Sequence, residues 1–292
     1  MAEGGRRGSA AGGGRLSVVS TPIGNLQDIS PRVLQTLQEA DLILAEDTQR
    51  TKKLCSHFGI TTRLRSFHAH SPASLPDRLL ERLTGGARLA LVSDAGTPLI
   101  SDPGAALVRE AARAGIALQT VPGPSAVTAA LTVAGIAFDA FRFLGFLPRS
   151  GKRRRLLLQG IARETDACVL FESPLRLGRT LAELAEHLGP DRTVAVCREL
   201  TKLHEEVVRG SAPELAERFR DGTLGEITLV VEGAAPKREA PDPAELDELV
   251  REHLQQGMSA RDVARIVSQQ TGVPRKDAYV RVLLVQKGEE TE

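Results

Sequence analysis

Short apolar runs alternate with amphipathic segments along most of the chain. The runs at 16–19, 42–45 and 89–92 are too short for helices and consist mainly of Leu, Ile, Val and Ala. Such runs are typical of strands buried on both faces of a parallel sheet. Between them, amphipathic stretches at helical spacing indicate helices, the first of which is expected to begin with Ser30 as its cap and Pro31 at its first position. Further strands are expected at 63–67 and 117–121. The alternation predicts a parallel α/β domain.

The same alternation resumes after residue 140 and predicts a second α/β unit. Strands are expected at 141–144, 167–171, 193–197 and 226–232, with a further one around 205–208. A proline-rich segment with mixed charges then marks a linker.

Beyond the linker, the periodicity predicts three helices. The first ends before Gly257, Ser259 caps the second with Asp262 at its third position, and Pro274 opens the third. Two helices joined by a short glycine-containing turn favour a helix-turn-helix. A plain three-helix packing unit is the alternative. The predicted organisation is a flexible tail at 1–15, α/β domains at 16–122 and 123–233, a linker at 234–243 and the helical unit at 244–292.

Composition narrows the class of protein. The chain has 292 residues, of which 41% are hydrophobic and 26% charged, so it is expected to be a soluble globular protein. Its formal net charge of +1 leaves any attraction for nucleic acid to local patches. No apolar run could cross a bilayer and no secretory h-region is present, so no membrane association is expected. Three isolated cysteines fit a reducing cytoplasm.

Polar and glycine-rich loops follow the carboxyl ends of the predicted strands. The longest, SDAGTPLISDPG at 93–104, has neither a Walker A nor a GxGxxG pattern. Ligands of open α/β sheets bind at these strand ends, and small residues let the main chain approach them closely. If the two sheets face each other, the loops line one cleft.

One local segment is strongly basic. Between residues 142 and 155 there are six basic side chains and no acidic one, and the last helix is also basic near its start. This is the electrostatic pattern of a phosphate-binding surface, with a solvated helix face as the alternative. The predicted RNA contacts are Arg149, Lys152, Arg153, Arg154, Arg155, Arg275 and Lys276.

The strand-end motifs occur in an order that resembles one family. They are TPIGNL at 21–26, AEDT at 45–48, the 93–104 loop, PGPSA at 122–126, GFLP at 145–148, FESP at 171–174, RELTK at 198–202 and GE at 225–226. The set is similar to the bacterial 16S rRNA cytidine 2′-O-methyltransferases, the ribosomal RNA small subunit methyltransferase I family of the tetrapyrrole-methylase fold, class III of the S-adenosylmethionine-dependent methyltransferases.

The resemblance implies S-adenosylmethionine in the cleft between two α/β domains, a homodimer, and 16S rRNA of the small ribosomal subunit as methyl acceptor. It also implies a C-terminal helix-turn-helix. The residues expected to contact the cofactor are Ile23, Asp94, Thr97, Ser125, Ala126, Phe171, Leu200 and Thr228. The chain departs from the family at Gln49, Ser71, Phe171 and Leu175, which concerns substrate contacts rather than the reaction.

A ribose hydroxyl is a weak acid, so a nearby carboxylate or histidine would help as a base or orienting acceptor. The candidates are Glu46, Asp47, His68, His70 and Glu199. Each has a structural alternative: Asp47 could cap the following helix, and the glutamates could pair with Arg50 or Arg198. The two histidines lack a third ligand, so no metal site is expected.

Two other functions stay open at this point. Members of the same fold methylate tetrapyrrole carbons, and a non-catalytic nucleic-acid-binding protein could use the helix-turn-helix alone. The basic segment and the extra helices favour RNA over a small macrocycle, and the dense strand-end loops favour an enzyme over a scaffold.

Overall fold

The computed structural model describes residues 13–68, 71–72, 74–101, 104–235 and 242–289. The chain divides into two compact units, Met1–Ala234 and Ala235–Glu292. The first holds two five-stranded sheets, and the second consists of helices. Within the described residues, no helix is long and apolar enough to cross a membrane.

The first sheet is entirely parallel, as its apolar runs predict. Its strands are β1 (Arg15–Val19), β2 (Leu42–Ala45), β3 (Leu64–Ser66), β4 (Arg88–Val92) and β5 (Ala117–Val121), in the order β3-β2-β4-β1-β5. The connecting helices are α1 (Pro31–Glu39), α2 (Thr48–His57), α3 (Leu75–Thr84) and α4 (Ala105–Arg113). β2 is buried at all four positions, as a central strand covered on both faces must be.

Two helices of this sheet begin at predicted capping residues. The Ser30 side chain accepts a hydrogen bond from the backbone of Val33, and Pro31 occupies the first turn of α1. The Asp47 carboxylate accepts from the backbone N–H groups of Gln49 and Arg50 at the start of α2. The helix starts were therefore readable from the sequence, because these side chains satisfy backbone donors that a helix leaves unpaired.

The second sheet is mixed, a feature that the apolar runs did not specify. Its strands are β6 (Phe141–Phe146), β7 (Ala167–Glu172), β8 (Thr193–Arg198), β9 (Glu206–Ser211) and β10 (Ile227–Val231), in the order β6-β7-β10-β8-β9. β6 and β7 are parallel, whereas β10 runs antiparallel to β7 and β8, and β8 to β9. β7 and β8 therefore end at the edge where β10 begins. The helices of this part are α5 (Ala126–Val133), α6 (Lys152–Arg163), α7 (Leu177–Ala185) and α8 (Ala212–Arg218).

The core of the second sheet extends to a loop of the first. α5 packs against β7 and β10, and Ile23 from the loop after β1 joins the same buried cluster. The cluster also contains Val169, Ala195 and Leu200. This shared packing anchors the loop after β1 to the core of the second sheet.

The C-terminal unit contains the three predicted helices, α9 (Pro243–Gln255), α10 (Ala260–Thr271) and α11 (Arg275–Glu289). Ser259 caps α10 by accepting from the backbone of Asp262, and Gly272 ends it with a φ of 75°. The helices enclose a small core centred on Val250 and Val263. α10, its glycine turn and α11 therefore adopt the expected helix-turn-helix order.

Candidate functional site

The loops at the carboxyl ends of β1, β8 and the start of β10 meet across the space between the sheets. The backbone N–H of Asn25 donates to Thr201 Oγ1 at 3.1 Å. A Cβ at Gly24 would overlap the Lys202 side chain and lie 3.0 Å from the Leu200 carbonyl oxygen. Only glycine allows this approach without displacement, so Gly24 joins the two halves of a cleft.

Hydrogen bonds also tie the loops of the first sheet to one another. Thr21 and Gly96 exchange backbone hydrogen bonds of 2.8 and 3.0 Å. The hydroxyls of Ser20 and Thr97 lie 3.0 Å apart, and Thr97 Oγ1 donates to the Pro124 carbonyl at 3.3 Å. Three loops that are distant in sequence are thereby fixed as one wall.

Asp94 connects a fourth loop to this wall. Its Oδ1 accepts a hydrogen bond of 2.8 Å from the backbone N–H of Asp47, and the side chain is partly exposed in the cleft. None of the described residues donates a hydrogen bond to the other carboxylate oxygen, which is therefore available to a ligand that carries donors. Asp94 is therefore both a structural link and a candidate ligand contact.

The same loop carries unusual backbone geometry. Leu99 and Ser101 both have φ of 72°, a region that non-glycine residues rarely occupy. Such strain persists where surrounding contacts impose it, and it often accompanies ligand sites. Ser101 borders the cleft.

Two adjoining cavities open in the cleft. The first, of about 430 Å³, lies between the loop after β1 and helix α2, and the second, of about 340 Å³, reaches toward β7 and β10. Residues common to both linings are Ile23, Arg50, Asp94, Ala95 and Glu226. Both sizes fall in the range of small-molecule sites, about 300–1,000 Å³. The cavities therefore form one continuous site with two compartments.

The second cavity brings together most of the predicted cofactor residues. Its lining includes Ile23, Asp94, Ala126, Phe171 and Thr228. The remaining predicted contacts, Thr97, Ser125 and Leu200, are not on the lining of either cavity. Thr97 bonds to neighbouring loops, Ser125 precedes α5, and Leu200 is buried in the cluster that contains Ile23.

This cavity combines an apolar wall with polar groups. Phe171 lies edge-on to Phe143 at 4.9 Å between ring centroids, and the Phe146 ring is tilted against Phe171 at a centroid distance of 5.5 Å. Asp94, Ser101 and Glu226 supply oxygen atoms around that wall. A ligand with a flat apolar ring and several hydrogen-bonding groups matches such a surface.

The candidate bases are placed very differently. Asp47 caps α2, the alternative considered from the sequence. Glu199 pairs with Lys202 at 2.7 Å and accepts from the backbone of Glu226 at 2.9 Å. The Lys202 hydrogen bond lowers the pKa of Glu199, so this carboxylate is a weak proton acceptor. Its role is to connect the loop after β8 to the start of β10. His68 is exposed beside Glu46, and His70 lies outside the described residues.

Among the candidate bases, Glu46 has the raised pKa that favours a proton acceptor, although it is not on the lining of either cavity. Burial and the nearby Asp94 carboxylate raise its pKa, and His68 partly opposes the rise. A carboxylate with a raised pKa accepts a proton more readily near neutral pH. Glu46 precedes α2 at the end of β2, next to the loop that Asp94 holds.

One of the predicted RNA contacts is wrong for a physical reason. Arg149, Lys152, Arg153 and Arg155 are exposed, but Arg154 is only 2% exposed. Its guanidinium donates to Glu183, Thr180 and the Pro148 carbonyl at 2.6, 2.9 and 3.0 Å. These partners neutralise and bury the charge, so Arg154 cannot contact an RNA phosphate; it is a structural residue of the second sheet's helices.

The two basic residues predicted in the C-terminal unit share a surface depression. Arg275 and Lys276 line it together with Arg261 from α10 and the single tyrosine, Tyr279. All three cations are exposed. The sequence pattern did not identify Arg261 or Tyr279, although both lie at helical spacings from charged neighbours.

Sequence reasoning also missed basic residues in the cleft itself. Arg50 and Lys53 on α2 line the first cavity with His57. Their spacing of three and four residues places them on one helical face. That spacing was a usable signal, but the prediction considered Arg50 only as a partner for Glu46.

Comparison with known proteins agrees with this architecture. Residues 15–216 match the model of the tetrapyrrole (corrin/porphyrin) methylases, and residues 240–286 match that of the RsmI C-terminal HTH domain. The chain is similar to proteins named ribosomal RNA small subunit methyltransferase I. The relative from Mycobacterium tuberculosis is 44% identical over 92% of this chain and 95% of its own length. That from Halalkalibacterium halodurans is 42% identical over 91% and 93%.

Solved structures share the fold at low sequence identity. Cobalt precorrin-4 methyltransferase has a TM-score of 0.57 at 18% identity, covering 75% of this chain and 94% of that one. Uroporphyrin-III C-methyltransferase from Thermus thermophilus, complexed with S-adenosyl homocysteine, has a TM-score of 0.55 at 18% identity, covering 75% of this chain and 97% of that one. These likenesses concern the fold alone.

Proposed function

Because the chain belongs to the ribosomal RNA small subunit methyltransferase I family of the tetrapyrrole methylases, we propose that it uses S-adenosylmethionine to methylate 16S rRNA. The finer proposal is transfer to the ribose 2′-hydroxyl of a cytidine in the decoding centre. The observation that carries it is the convergence of loops from both sheets on one two-compartment cleft.

The second cavity has groups that suit S-adenosylmethionine. Phe171 and Ile23 offer apolar contact for an adenine, and Asp94 and Glu226 offer carboxylates for hydroxyl or ammonium donors. The buried Thr228 hydroxyl lies on the same lining. S-adenosylmethionine, when bound, supplies an electrophilic methyl group and a neutral thioether leaving group. The protein then has mainly to orient the two reactants and to accept a proton.

We assign the proton-accepting role to Glu46. Its raised pKa keeps it a better acceptor than Glu199, whose carboxylate is already engaged by Lys202. Asp94 favours protonation of Glu46 by adding a second negative charge nearby. The nearby His68 partly opposes this rise in the pKa of Glu46.

The RNA is held outside the cofactor cavity in this proposal. The exposed cations at the start of α6, Lys152, Arg153 and Arg155 with the preceding Arg149, form one contact surface. Arg275 and Lys276 of the C-terminal unit form another. We further propose that the protein acts in the cytoplasm as a homodimer.

The decisive experiment incubates the protein with methyl-labelled S-adenosylmethionine and 30S subunits that lack the modification. Label on a cytidine 2′-oxygen of 16S rRNA is expected. Label on a base or on no RNA would contradict the proposal. Label on a porphyrinogen supplied in parallel would instead support the tetrapyrrole methyltransferase alternative.

A cavity-filling variant tests where the cofactor binds. Ala95 lines both cavities, so Ala95→Leu should abolish S-adenosylmethionine binding in calorimetry. Ala112→Leu makes the same change at an exposed position of α4 and serves as the control. Unaltered cofactor affinity in Ala95→Leu would refute the assignment of the cleft.

A further inference from the structure

Helix α2 presents a basic face to the first cavity. Arg50, Lys53 and His57 all line it, at intervals of three and four residues along the helix. Residues at these intervals lie above one another on a single helical face. Lys52 belongs to the same helix and is exposed, but it does not line the cavity. The first cavity is therefore lined by one basic face of α2 and not by every cation of that helix.

The charges of this face are not neutralised by neighbouring acids. Among the residues that the structure describes, neither Arg50 nor Lys53 has an ion pair within 4.0 Å. On the opposite wall, Lys202 forms ion pairs with Glu199 at 2.7 Å and with Glu226 at 3.1 Å, so its charge is neutralised within the protein. Arg50 and Lys53 are thus the cations left for a ligand.

The acidic groups of the first cavity do not cancel the positive charge of the α2 wall. Asp94 and Glu226 are the carboxylates on its lining. Glu226 is paired with Lys202, and both carboxylates also line the second cavity, where the proposed function uses them for donor groups of the cofactor. A multiply anionic ligand can therefore approach the α2 wall, where its charge meets guanidinium and ammonium groups.

The position of the basic face relates it to the reaction. Arg50 borders both cavities, whereas Lys53 and His57 border only the first. If the second cavity holds the cofactor, the first cavity is the adjoining space for a methyl acceptor, because the two share Arg50, Asp94 and Glu226 on their linings. A nucleotide presenting its ribose at the junction would carry its own phosphodiester along the α2 wall.

We propose that the first cavity is the acceptor subsite for unstacked RNA, with Arg50 and Lys53 contacting the phosphates that flank the methylated ribose. This inference rests on the proposed function. Arg50, at the junction, binds the phosphate nearest to the reacting hydroxyl, and Lys53 binds the next one outward. The exposed cations of α6 and of the C-terminal unit would then hold more distant parts of the rRNA.

The test compares Arg50→Gln, Lys53→Gln and the double variant with the wild-type protein, and Lys52→Gln is the matched control on the same helix. Binding to unmodified 30S subunits is measured from low to moderate salt, together with KM for the subunits and S-adenosylmethionine affinity by calorimetry. For single-stranded nucleic acid, each lost phosphate contact lowers the slope of log affinity against log salt by about 0.7. The double variant should therefore lose about 1.4 of slope and raise KM, while cofactor affinity and Lys52→Gln stay at wild-type values.

The outcomes separate this inference from the proposed function. If the wild-type protein labels no RNA, the proposed function fails before the variants are considered. If it labels 30S subunits but the double variant keeps the wild-type slope and KM, the acceptor subsite is wrong. It is equally wrong if the variants lose only cofactor affinity, since the cations would then bind the cofactor carboxylate. An equal loss in Lys52→Gln would mean that the helix acts only through its general charge.

Discussion

Replacing Arg154 should destabilise the protein without weakening its hold on RNA. The guanidinium is buried and donates to Glu183, to Thr180 and to the Pro148 carbonyl. The Thr180 hydroxyl in turn donates to the buried Glu172 at 2.6 Å. Arg154→Met keeps most of the side-chain length but removes every donor, so it isolates the polar contribution.

The magnitude follows from what the substitution leaves behind. Removing one partner of a buried ion pair costs about 3–5 kcal/mol, because the remaining charge stays desolvated. Here both acids keep another arginine: Glu172 pairs with Arg176 at 2.6 Å and Glu183 with Arg179 at 2.9 Å. The lower end, about 3 kcal/mol, is therefore expected. For a unit of this size, each kcal/mol lowers Tm by about 2–4 °C, which gives a fall of about 6–12 °C.

Urea unfolding followed by circular dichroism measures the free energy of unfolding, and the salt dependence of 30S binding measures the RNA contacts. Arg153→Met and Arg155→Met are the controls, since both side chains are exposed on the same helix. They should unfold like the wild-type protein but flatten the salt dependence. Arg154→Lys, which keeps the charge and loses the planar fork, should fall between wild type and Arg154→Met. Wild-type stability in Arg154→Met, combined with weaker RNA binding, would refute the reasoning and restore a surface role for Arg154.

Three further predictions concern other parts of the molecule. Gly24→Ala should lower stability by about 1–3 kcal/mol and weaken cofactor binding, because the added Cβ overlaps Lys202; a thermal melt and calorimetry check both effects. The rate of methyl transfer should fall as pH drops through the raised pKa of Glu46, since only the ionised carboxylate accepts a proton. Glu46→Gln should lower kcat by about 10²–10⁴-fold and remove that acidic limb, and an unchanged pH profile in this variant would exclude Glu46 as the base. Ser259→Ala should destabilise the C-terminal unit by about 1 kcal/mol, because Asp262 loses its capping acceptor, and hydrogen exchange across α10 measures the change.

The parts of the fold that follow from local patterns were predictable. Buried strands read as uninterrupted apolar runs, and the caps at Ser30 and Ser259 marked helix starts within a residue. The strand directions of the second sheet were not predictable, because an apolar run such as that of β10 looks the same in a parallel or an antiparallel ladder. Direction depends on how the connections close in space, which is a long-range property.

The site was predictable at the level of loops and less so at the level of side chains. The family resemblance of the strand-end motifs implied Ile23 and Asp94, and both line the cleft. A run of basic residues, however, does not show which of their side chains point from the helix into the protein. Arg154 lies one position from two exposed arginines and is buried, because only its face of α6 meets α7. Whether the residues of the cleft bind S-adenosylmethionine and RNA stays a prediction for the assays above.

The two walls of the cleft are held by different forces, and this difference makes salt a selective probe. The wall from the first sheet depends on backbone and hydroxyl hydrogen bonds among the loops of Thr21, Gly96 and Thr97. The wall from the second sheet includes the ion pair between Lys202 and the exposed Glu226. Salt weakens the attraction between exposed charges, with a Debye length of about 10 Å at 0.1 M. It has little effect on hydrogen bonds between neutral groups. Cofactor affinity should therefore change little with salt if the first wall dominates its binding, and a steep salt dependence of 30S binding then reports phosphate contacts alone.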